Sequence, residues 1–202
     1  MVSMTSDTPN TEIYYSLNNA SFMLYTHPIP LLQGGVISAV SRSESLAESL
    51  QTTVRFGMLI DKSGWKVLKV SSQVKGDEAY KAIDDDIHTK WHTPFGEGEP
   101  HHPHSIVVDM GKSYQVEQFI YTPRSDGNNG NINEFLLYFS NDPDKWEEPA
   151  ITGRFVNSSS PQFIEITSRP KARYFMLIAK SEVHGRAWTS AAELGITASM
   201  GN

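Results

Sequence analysis

The chain has 202 residues, of which 39% are hydrophobic and 20% are charged, and its formal net charge is -6. This length fits one or two globular domains, whereas a (β/α)8 barrel alone needs about 250 residues. Because Asp and Glu outnumber Lys and Arg by 23 to 17, neither nucleic acid nor an anionic membrane surface is an expected partner. The absence of cysteine excludes disulfides, a thiol nucleophile and thiolate metal sites, but leaves the cellular compartment open.

The first residues, MVSMTSDTPNTE, do not form a basic segment followed by an apolar one, so no signal peptide is predicted. No run approaches the roughly 18 apolar residues of a membrane span, so membrane insertion is not expected. We expect the sequence to begin inside a longer protein, whose upstream part would carry the signal and any catalytic domain.

Residues 12–57 contain short apolar runs separated by turn-forming pairs. The runs IYYSL, FMLY, GGVISAV and TTVRF alternate with Asn-Asn, His-Pro and Gly-Gly, which predicts a small β-sandwich. Residues 43–51 are the exception, because Ser43, Leu46 and Leu50 have helical spacing, and this segment could be a short helix or a strand. The segment IDKSGW has the composition of a linker, so we place a domain boundary near residue 59.

Residues 60–202 carry many more strand-like runs and almost no helical pattern. After WKVLKVSS come SIVVDM, VEQFIYTP, EFLLYFS, QFIEIT, RYFMLIA and ELGITA. Turn clusters such as DDDIHT, FGEGEPHHPH, RSDGNNGN and NDPDKWEEP separate these runs at the spacing of antiparallel sandwiches and jelly rolls. The fold class expected for the whole chain is all-β, with two consecutive sandwiches.

Several separated motifs of the second part agree with one known family. In order, AYKAIDDDIHTKWHT, PHSIVVDMG, VEQFIYTPRSDGNNGNINEFLLYFSNDPDKW and RYFMLIAKSEVHGRAWTSAAELGI resemble the coagulation factor 5/8 type C (discoidin) domain. Within it, they are most similar to the family 32 carbohydrate-binding modules of bacterial glycoside hydrolases. The stretch IYYSLNNASFMLYTHPIPLLQGGVISAVS resembles the immunoglobulin-like domain at the C-terminus of chitobiases and β-hexosaminidases, with Asn18-Asn19 where Asp-Gly is usual. The implied domains are residues 1–59 and 60–202.

Asp84, Asp86 and Thr89 form an oxygen-rich loop of the kind that a hard cation such as calcium needs. Taken alone, an acidic triplet is more often a solvated turn. The resemblance implies a structural calcium ion completed by backbone carbonyls and by Glu193. Asp85 stands where the family usually has glycine, and Asp tolerates a positive φ better than most residues.

The resemblance also places four loop residues, His92, Phe95, Arg124 and Asn129, at a monosaccharide site. An aromatic face packs on the C–H face of a pyranose, Arg and His are expected to donate hydrogen bonds to hydroxyls, and Asn can do both. Family members often carry Trp in place of Phe95, so the smaller ring implies weaker binding or another sugar preference. Trp188 is either a second aromatic contact or a partly buried anchor.

Other chemistries find little support in the sequence. His101, His102 and His104 suggest a zinc site, but a proline separates them and no fourth ligand is fixed. Asp and Glu are too numerous to single out a glycosidase pair, and no nucleophile elbow, HExxH pair or phosphate loop occurs. We therefore expect no enzyme activity within these residues.

The function expected from the resemblance is a non-catalytic carbohydrate-binding module for glycans ending in galactose or N-acetylhexosamine. It would form the C-terminal part of a secreted, periplasmic or cell-surface bacterial glycoside hydrolase such as a β-hexosaminidase, with an α-fucosidase or β-galactosidase parent as alternatives. The rival hypothesis is a structural spacer or protein-interaction module, because a fold alone does not fix a function.

Overall fold

The structure is a computed structural model that describes residues 1–31 and 34–199. The chain divides into two compact units, Met1–Met58 and Leu59–Asn202. Each unit consists mainly of antiparallel strands, so the all-β prediction is confirmed.

The strands of the first unit form one antiparallel sheet in the order β2-β1-β3-β4. Their bounds are β1 (Glu12–Leu17), β2 (Met23–Leu24), β3 (Gly35–Arg42) and β4 (Thr52–Phe56), and β5 (Met58–Leu59) lies at the border of the two units. A single bridge between Val2 and Ile29 lies outside these strands. Among the described residues of this unit, the four strands predicted for a sandwich therefore share one sheet, and the immunoglobulin-like assignment stays a prediction.

The turn after β1 is formed by Asn18-Asn19. Both residues have positive φ, 52° and 62°, and the Ala20 N–H donates to the Leu17 carbonyl over 3.0 Å. Two consecutive positive φ values and this hydrogen bond define the type I′ hairpin turn. Asn tolerates that conformation better than other residues with a Cβ, so an Asn-Asn pair can form this hairpin turn.

Residues 43–51 form neither the helix nor the strand that their spacing allows. They are irregular, and the Ser49 hydroxyl accepts a hydrogen bond from the Ser41 N–H. Leu46 is 57% exposed and Leu50 is 94% exposed. The segment buries no apolar face in its unit, and packing of such a face is what stabilises most short helices.

The second unit is built around one long strand, β8, which is bent at Gly111. Its elements are β6 (Lys66–Val70), the 3-10 helix η1 (Ala79–Ile83), β7 (Trp91–His92), β8 (His104–Thr122), β9 (Glu134–Ser140), β10 (Ile151–Arg154), β11 (Gln162–Glu165), β12 (Lys171–Ala179), β13 (Ser190–Ala191) and β14 (Glu193–Ser199). The first half of β8 pairs with β6 and β12, and its second half pairs mainly with β11 and β14. Strands β9 and β10 follow β12 in the sheet.

The sequence predicted two strands, SIVVDM and VEQFIYTP, where the structure has the single strand β8. Gly111 takes a φ of 82° at the junction, and its N–H donates to the Asp109 carboxylate over 2.8 Å. A glycine turns the chain here at little conformational cost, so the strand bends between two sets of partners without ending.

The core of this unit lies between the two halves of β8 and their partners. Phe119, from the second half of β8, lies edge-on to Phe175 of β12, with ring centroids 5.5 Å apart, and Trp65 also contacts Phe175. Phe119 and Phe175 are fully buried. These rings pack between the two halves of β8 and their partner strands, and loops of the same unit carry the candidate site.

Candidate functional site

The short ribbon of β7 and β13 positions the residues predicted to bind sugar. His92 pairs with Ser190, and the Thr93 N–H donates to the Thr189 carbonyl over 2.9 Å. The Thr189 N–H in turn donates to the Thr93 hydroxyl. This ladder places His92 beside the segment that carries Trp188, although the two residues are far apart in sequence.

Three aromatic side chains meet at this ribbon. The ring centroids of His92 and Phe95 are 5.4 Å apart, those of Phe95 and Trp188 are 5.9 Å apart, and those of His92 and Trp188 are 6.3 Å apart. His92 is only 3% exposed, Trp188 is half-buried and Phe95 is 60% exposed. Phe95 therefore offers an aromatic surface to solvent while the other two rings support it.

One ring nitrogen of His92 already makes a hydrogen bond within the fold. Its Nδ1 lies 2.5 Å from the Thr93 carbonyl, which can only accept, so Nδ1 carries the ring proton. Burial lowers the pKa of His92, and the nearby positive charge of Arg124 adds to this effect. The neutral ring then has its lone pair on Nε2, which can accept a hydrogen bond from a hydroxyl.

Arg124 is held by a carboxylate that sequence analysis did not single out. Its Nε and Nη2 donate to the two carboxylate oxygens of Asp126 over 2.6 and 2.8 Å, and Lys90 lies 3.0 Å from the same carboxylate. The hydrogen bond from Arg124 holds the pKa of Asp126 well below its usual range, and Lys90 contributes. A bidentate pair fixes the plane of a guanidinium, so Arg124 is oriented before any ligand arrives.

Asn129 is tied to the same ribbon through its backbone. Its carbonyl accepts from Arg124 Nη1 over 3.3 Å and from the Ser190 hydroxyl over 3.1 Å. A Cβ on the next residue, Gly130, would lie 3.0 Å from the Ser190 backbone nitrogen, and the φ of Gly130 is 84°. A side chain at position 130 would be strained, and the close approach of Gly130 to Ser190 holds Asn129 beside the ribbon that carries His92.

Two further side chains complete the surroundings of Trp188. The Trp188 indole N–H donates to Glu99, which also accepts from the Gly96 N–H over 2.9 Å. The Arg186 guanidinium lies 5.1 Å from the centre of the Trp188 ring and donates to the Asn129 side-chain oxygen. The sequence analysis singled out neither Glu99 nor Arg186 as a site residue, and only the folded loops reveal their contacts with Trp188 and Asn129.

The acidic loop that follows η1 gathers oxygen atoms around one hydroxyl. Thr89 Oγ1 lies 2.8 Å from Asp84 Oδ2, 3.1 Å from the Asp86 carbonyl and 3.4 Å from the Lys81 carbonyl. Asp85 takes a positive φ of 63°, as Asp in place of glycine permits. Asp86 contacts Thr89 through its backbone carbonyl only, and its carboxylate accepts a hydrogen bond from the His88 N–H.

Glu193 is the buried member of the expected calcium set, and it already has a cationic partner. Lys62 donates to Glu193 Oε2 and also lies 3.0 Å from Asp85, and the side chains of Lys62 and Glu193 are 7% and 8% exposed. Burial raises the pKa of Glu193 to about 7, although Lys62 opposes the rise, and Asp84 adds to it. Glu193 Oε1 is buried without a hydrogen-bond partner.

These donors fit a cation in part. An unpartnered buried carboxylate oxygen, the Asp84 carboxylate, one hydroxyl and two backbone carbonyls are the ligands that calcium prefers. Within residues 1–31 and 34–199, however, no three His, Asp or Glu side chains lie close enough together to hold a metal ion. Calcium would also have to share Glu193 with the Lys62 ammonium.

The His102 and His104 rings lie side by side with their centroids 4.7 Å apart, but other groups engage them. His102 Nε2 lies 3.0 Å from the Thr189 hydroxyl, and His104 Nε2 lies 2.6 Å from the Ala187 carbonyl. Burial lowers the pKa of His102 to about 4 and also lowers that of His104. The pair supports the loop that ends in Trp188.

Comparison with known proteins gives this arrangement its family. The model of the F5/8 type C domain matches residues 67–194, and the chain belongs to this family. A galactose oxidase of Gibberella zeae is 35% identical over 170 residues, which are 83% of this chain and 24% of that protein. A sialidase of Micromonospora viridifaciens is 30% identical over 164 residues, 79% of this chain and 25% of that protein.

A solved structure agrees with the sequence relatives. The module CpGH89CBM32-5 of Clostridium perfringens, in complex with GalNAc-β-1,3-galactose, is 31% identical with a TM-score of 0.63. It covers 69% of this chain, and the match covers 99% of that module. The resemblance to discoidin domains and family 32 modules is thus confirmed, while the chain spans about a quarter of the length of its curated relatives. None of the helices within the described residues is long and apolar enough to cross a membrane.

Proposed function

We propose that this chain is a non-catalytic module that binds a terminal galactose or N-acetylhexosamine through Phe95, Arg124, Asn129, His92 and Trp188. The observation that carries the proposal is the 60% exposed Phe95 ring, backed by two buried or half-buried rings and flanked by an oriented guanidinium. The GalNAc-β-1,3-galactose bound by the similar Clostridium perfringens module supports the same sugar class.

The chemistry of the site suits one sugar ring. Phe95 offers apolar contact to C–H groups, Arg124 supplies donors, and His92 Nε2 supplies an acceptor for a hydroxyl proton. A hydroxyl both donates and accepts, so a donor next to an acceptor selects sugars with suitably placed neighbouring hydroxyls. One aromatic face and a few hydrogen bonds that compete with water predict dissociation constants in the order of 0.1 to 10 mM.

The biological role of such weak binding is proximity. A module that holds an enzyme on its glycan raises the effective concentration of cleavable bonds. We propose a secreted glycoside hydrolase as the parent, of the β-hexosaminidase or chitobiase type, with α-fucosidase and β-galactosidase as alternatives. Residues 1–59 would be its immunoglobulin-like spacer.

We also propose a structural calcium ion at Asp84, Asp86, Thr89 and Glu193. The unpartnered Glu193 Oε1 and the oxygens around Thr89 support it. When bound, calcium would neutralise these carboxylates and tie the loop after η1 to β14. Glu193 would then either leave the Lys62 ammonium for the calcium ion or contact both cations. Calcium binding and the Lys62–Glu193 contact are therefore linked.

Isothermal titration with galactose and N-acetylgalactosamine tests the sugar proposal on the full chain. We expect saturable binding in the millimolar range, and no turnover of chromogenic galactoside, fucoside or N-acetylglucosaminide substrates. The absence of binding to any sugar on a glycan array would favour the rival role of spacer or protein-interaction module. A rate that scales with protein and is lost on mutation of one carboxylate would contradict the non-catalytic role.

A further inference from the structure

A cavity of about 550 Å³ opens beside Trp188, between the loop before β8 and the loop after β12. Most of its lining residues are polar, and they are Glu99, His101, His102, Lys180, Ser181, Glu182, Gly185, Arg186, Ala187 and Trp188. This volume falls within the range of about 300 to 1,000 Å³ that is typical of small-molecule sites.

We infer that this cavity is a second glycan subsite, for a sugar unit that carries an anionic group, either a carboxylate or a sulfate ester. The inference rests on the proposed function, because it extends the galactose site by one unit along the glycan. Three observations carry it: continuity with the first site, the charge that the cavity leaves free, and the orientation of Asn129.

Continuity follows from residues that belong to both places. Trp188 contacts Phe95 in the aromatic cluster and lines the cavity, and Glu99 holds the indole N–H from the cavity side. Arg186 lines the cavity while its guanidinium contacts the Trp188 ring and the Asn129 side chain. A glycan whose terminal sugar lies on Phe95 can therefore reach the cavity past Trp188.

The cavity's two carboxylates are already engaged by N–H donors. Glu182 is buried, and it accepts from the Gly130, His184 and Arg186 backbone N–H groups over 3.3, 2.6 and 3.1 Å. Glu99 accepts from the Trp188 indole and from a backbone N–H. These hydrogen bonds satisfy both oxygens of Glu182, which lies buried beneath the cavity surface, so its oxygens do not face an incoming ligand.

The cavity's cations are in the opposite situation. Arg186 and Lys180 are exposed, and in the part of the chain that the structure describes neither forms an ion pair. A hydrogen bond from Arg154 lowers the pKa of the Glu134 carboxyl, and Lys180 lies near enough to contribute. The Arg186 guanidinium contacts two uncharged groups, the Trp188 ring and an amide oxygen. Arg186 and Lys180 provide the attraction for an anionic sugar substituent.

The orientation of Asn129 adds a third donor. Arginine has only N–H groups, so the Asn129 atom that faces Arg186 must be the amide oxygen. The Asn129 NH2 group consequently points to another side and is available to donate. Arg186 thus acts on the ligand directly and also positions Asn129, and the site between them presents donors, which an anion accepts better than a neutral hydroxyl does.

Titration calorimetry at pH 7 with the full chain tests this inference. The probes are galactose, the disaccharide β-galactosyl-1,4-glucose, the same disaccharide with glucuronic acid in place of glucose, and its glucose 6-sulfate ester. At low ionic strength we expect the acidic disaccharides to bind about tenfold more tightly than the neutral one, a factor that equals about 1.4 kcal/mol. This ratio should shrink at high salt. The better of the two acidic probes identifies the carboxylate or the sulfate as the preferred group.

Substitutions of Arg186 and Lys180 test whether these two cations cause the preference for acidic disaccharides. Arg186→Met and Lys180→Met keep the apolar stems and remove the charges, so each should lower the acidic-to-neutral ratio, and the double variant should bring it close to one. Lys171→Met, at the other end of β12, is the control and should leave the ratio unchanged. Thermal unfolding confirms that each variant is folded.

The possible failures are distinguishable. Equal affinity for acidic and neutral disaccharides, or a ratio that persists in the double variant, overturns the second subsite while galactose binding still supports the proposed function. Binding of the acidic disaccharides without binding of galactose supports the cavity and contradicts the Phe95 site. Loss of binding to all four probes overturns both.

Discussion

The loop before β7 and the loop after it both carry polar or aromatic side chains, but they differ in what those side chains contact. Before β7, Asp84 accepts a hydrogen bond from Thr89, and Asp85 pairs with Lys62. Lys62 also pairs with the buried Glu193, at the start of β14. After β7, the Phe95 ring is backed by other rings and stays 60% exposed.

These contacts separate a structural region from a recognition region. Groups that are satisfied within the fold contribute to stability, and their loss is measured in unfolding. Groups that are oriented by the fold but remain exposed to solvent can contact a ligand, and removing them raises the dissociation constant. We therefore predict that substitutions before β7 change stability and that substitutions after it change affinity.

The largest effect is expected for Lys62→Met. Removing the ammonium leaves the buried Glu193 carboxylate without its cation, and breaking one side of a buried pair costs about 3 to 5 kcal/mol. Denaturant unfolding in the presence of chelator measures this loss. Calcium should restore part of it, because an ion bound only by the folded state adds about 2.7 kcal/mol at a hundredfold excess over its Kd.

The control for this prediction is Lys69→Met, which removes an exposed ion pair with Asp144 and should change stability by less than about 1 kcal/mol. A Lys62→Met protein as stable as the wild type would show that Glu193 does not need its ammonium. Asp84→Ala and Asp86→Ala proteins that respond to chelator as the wild type does would contradict the calcium assignment.

Arg124→Ala should have the largest effect on binding. It removes donors that Asp126 orients, and a charge-assisted hydrogen bond is worth about 1.5 to 3 kcal/mol, so the Kd for galactose should rise at least about tenfold. The melting temperature should also fall, because the Arg124 side chain is 14% exposed and donates to Asp126 and Asn129, so the Kd is measured below the unfolding transition. Arg154→Ala, which removes an exposed ion pair with Glu134, is the control for binding. Unchanged affinity in Arg124→Ala would place the sugar elsewhere.

Substitutions of Phe95 sharpen the assignment of the recognition region. Phe95→Ala should weaken galactose binding by about 3- to 10-fold through the loss of face contact, while Phe95→Trp should keep or improve it because the ring is larger. Phe163→Ala removes a ring that is also 60% exposed but lies on β11, so its affinity should equal that of the wild type. Equal losses in Phe95→Ala and Phe163→Ala would indicate unspecific hydrophobic contact.

A smaller effect on stability is expected when the pH is changed, and it arises from His102, which lies between β7 and β8. The pKa of His102 falls from its ordinary value of 6.5 to about 4 in the folded protein, mainly through burial. The unfolded chain therefore binds the proton first as the pH falls. The contribution of His102 to stability is complete above about pH 6.5 and is lost as the pH falls toward 4.

Glu193, whose pKa is raised to about 7, acts in the opposite direction over this range, so the contribution of His102 is measured as a difference between two proteins. The melting temperature of His102→Gln relative to that of the wild type should increase as the pH falls from 7 to 5. Differential scanning at several pH values measures both slopes. Parallel curves for the two proteins would show that His102 does not titrate differently in the folded state.

Local patterns account for the parts of the structure that were predictable. The alternation of apolar residues and the turn clusters identified most strands, because strand periodicity and turn conformations depend on near neighbours. The same reasoning failed at residues 43–51, where helical spacing had no apolar surface to pack on. It also divided β8 into two, because a bent strand and two strands look alike in sequence.

The site was less predictable because its contacts join distant residues. Lys62 meets Glu193 across 131 positions, and Trp188 meets Glu99 across 89. No periodicity records such pairs, since they depend on how the loops come together. The hydrogen bond between His92 Nδ1 and the Thr93 carbonyl was likewise hidden, because only the folded backbone shows it.

Amide and side-chain NMR during a galactose titration tests the central claim most directly. We predict saturable shifts at His92, Phe95, Arg124 and Asn129, with a common Kd in the order of 0.1 to 10 mM. No comparable shifts are expected at Asp84 and Thr89, whose side chains hydrogen-bond to each other within the fold. Saturable shifts confined to other residues, or no shifts with galactose or N-acetylgalactosamine, would contradict the sugar site.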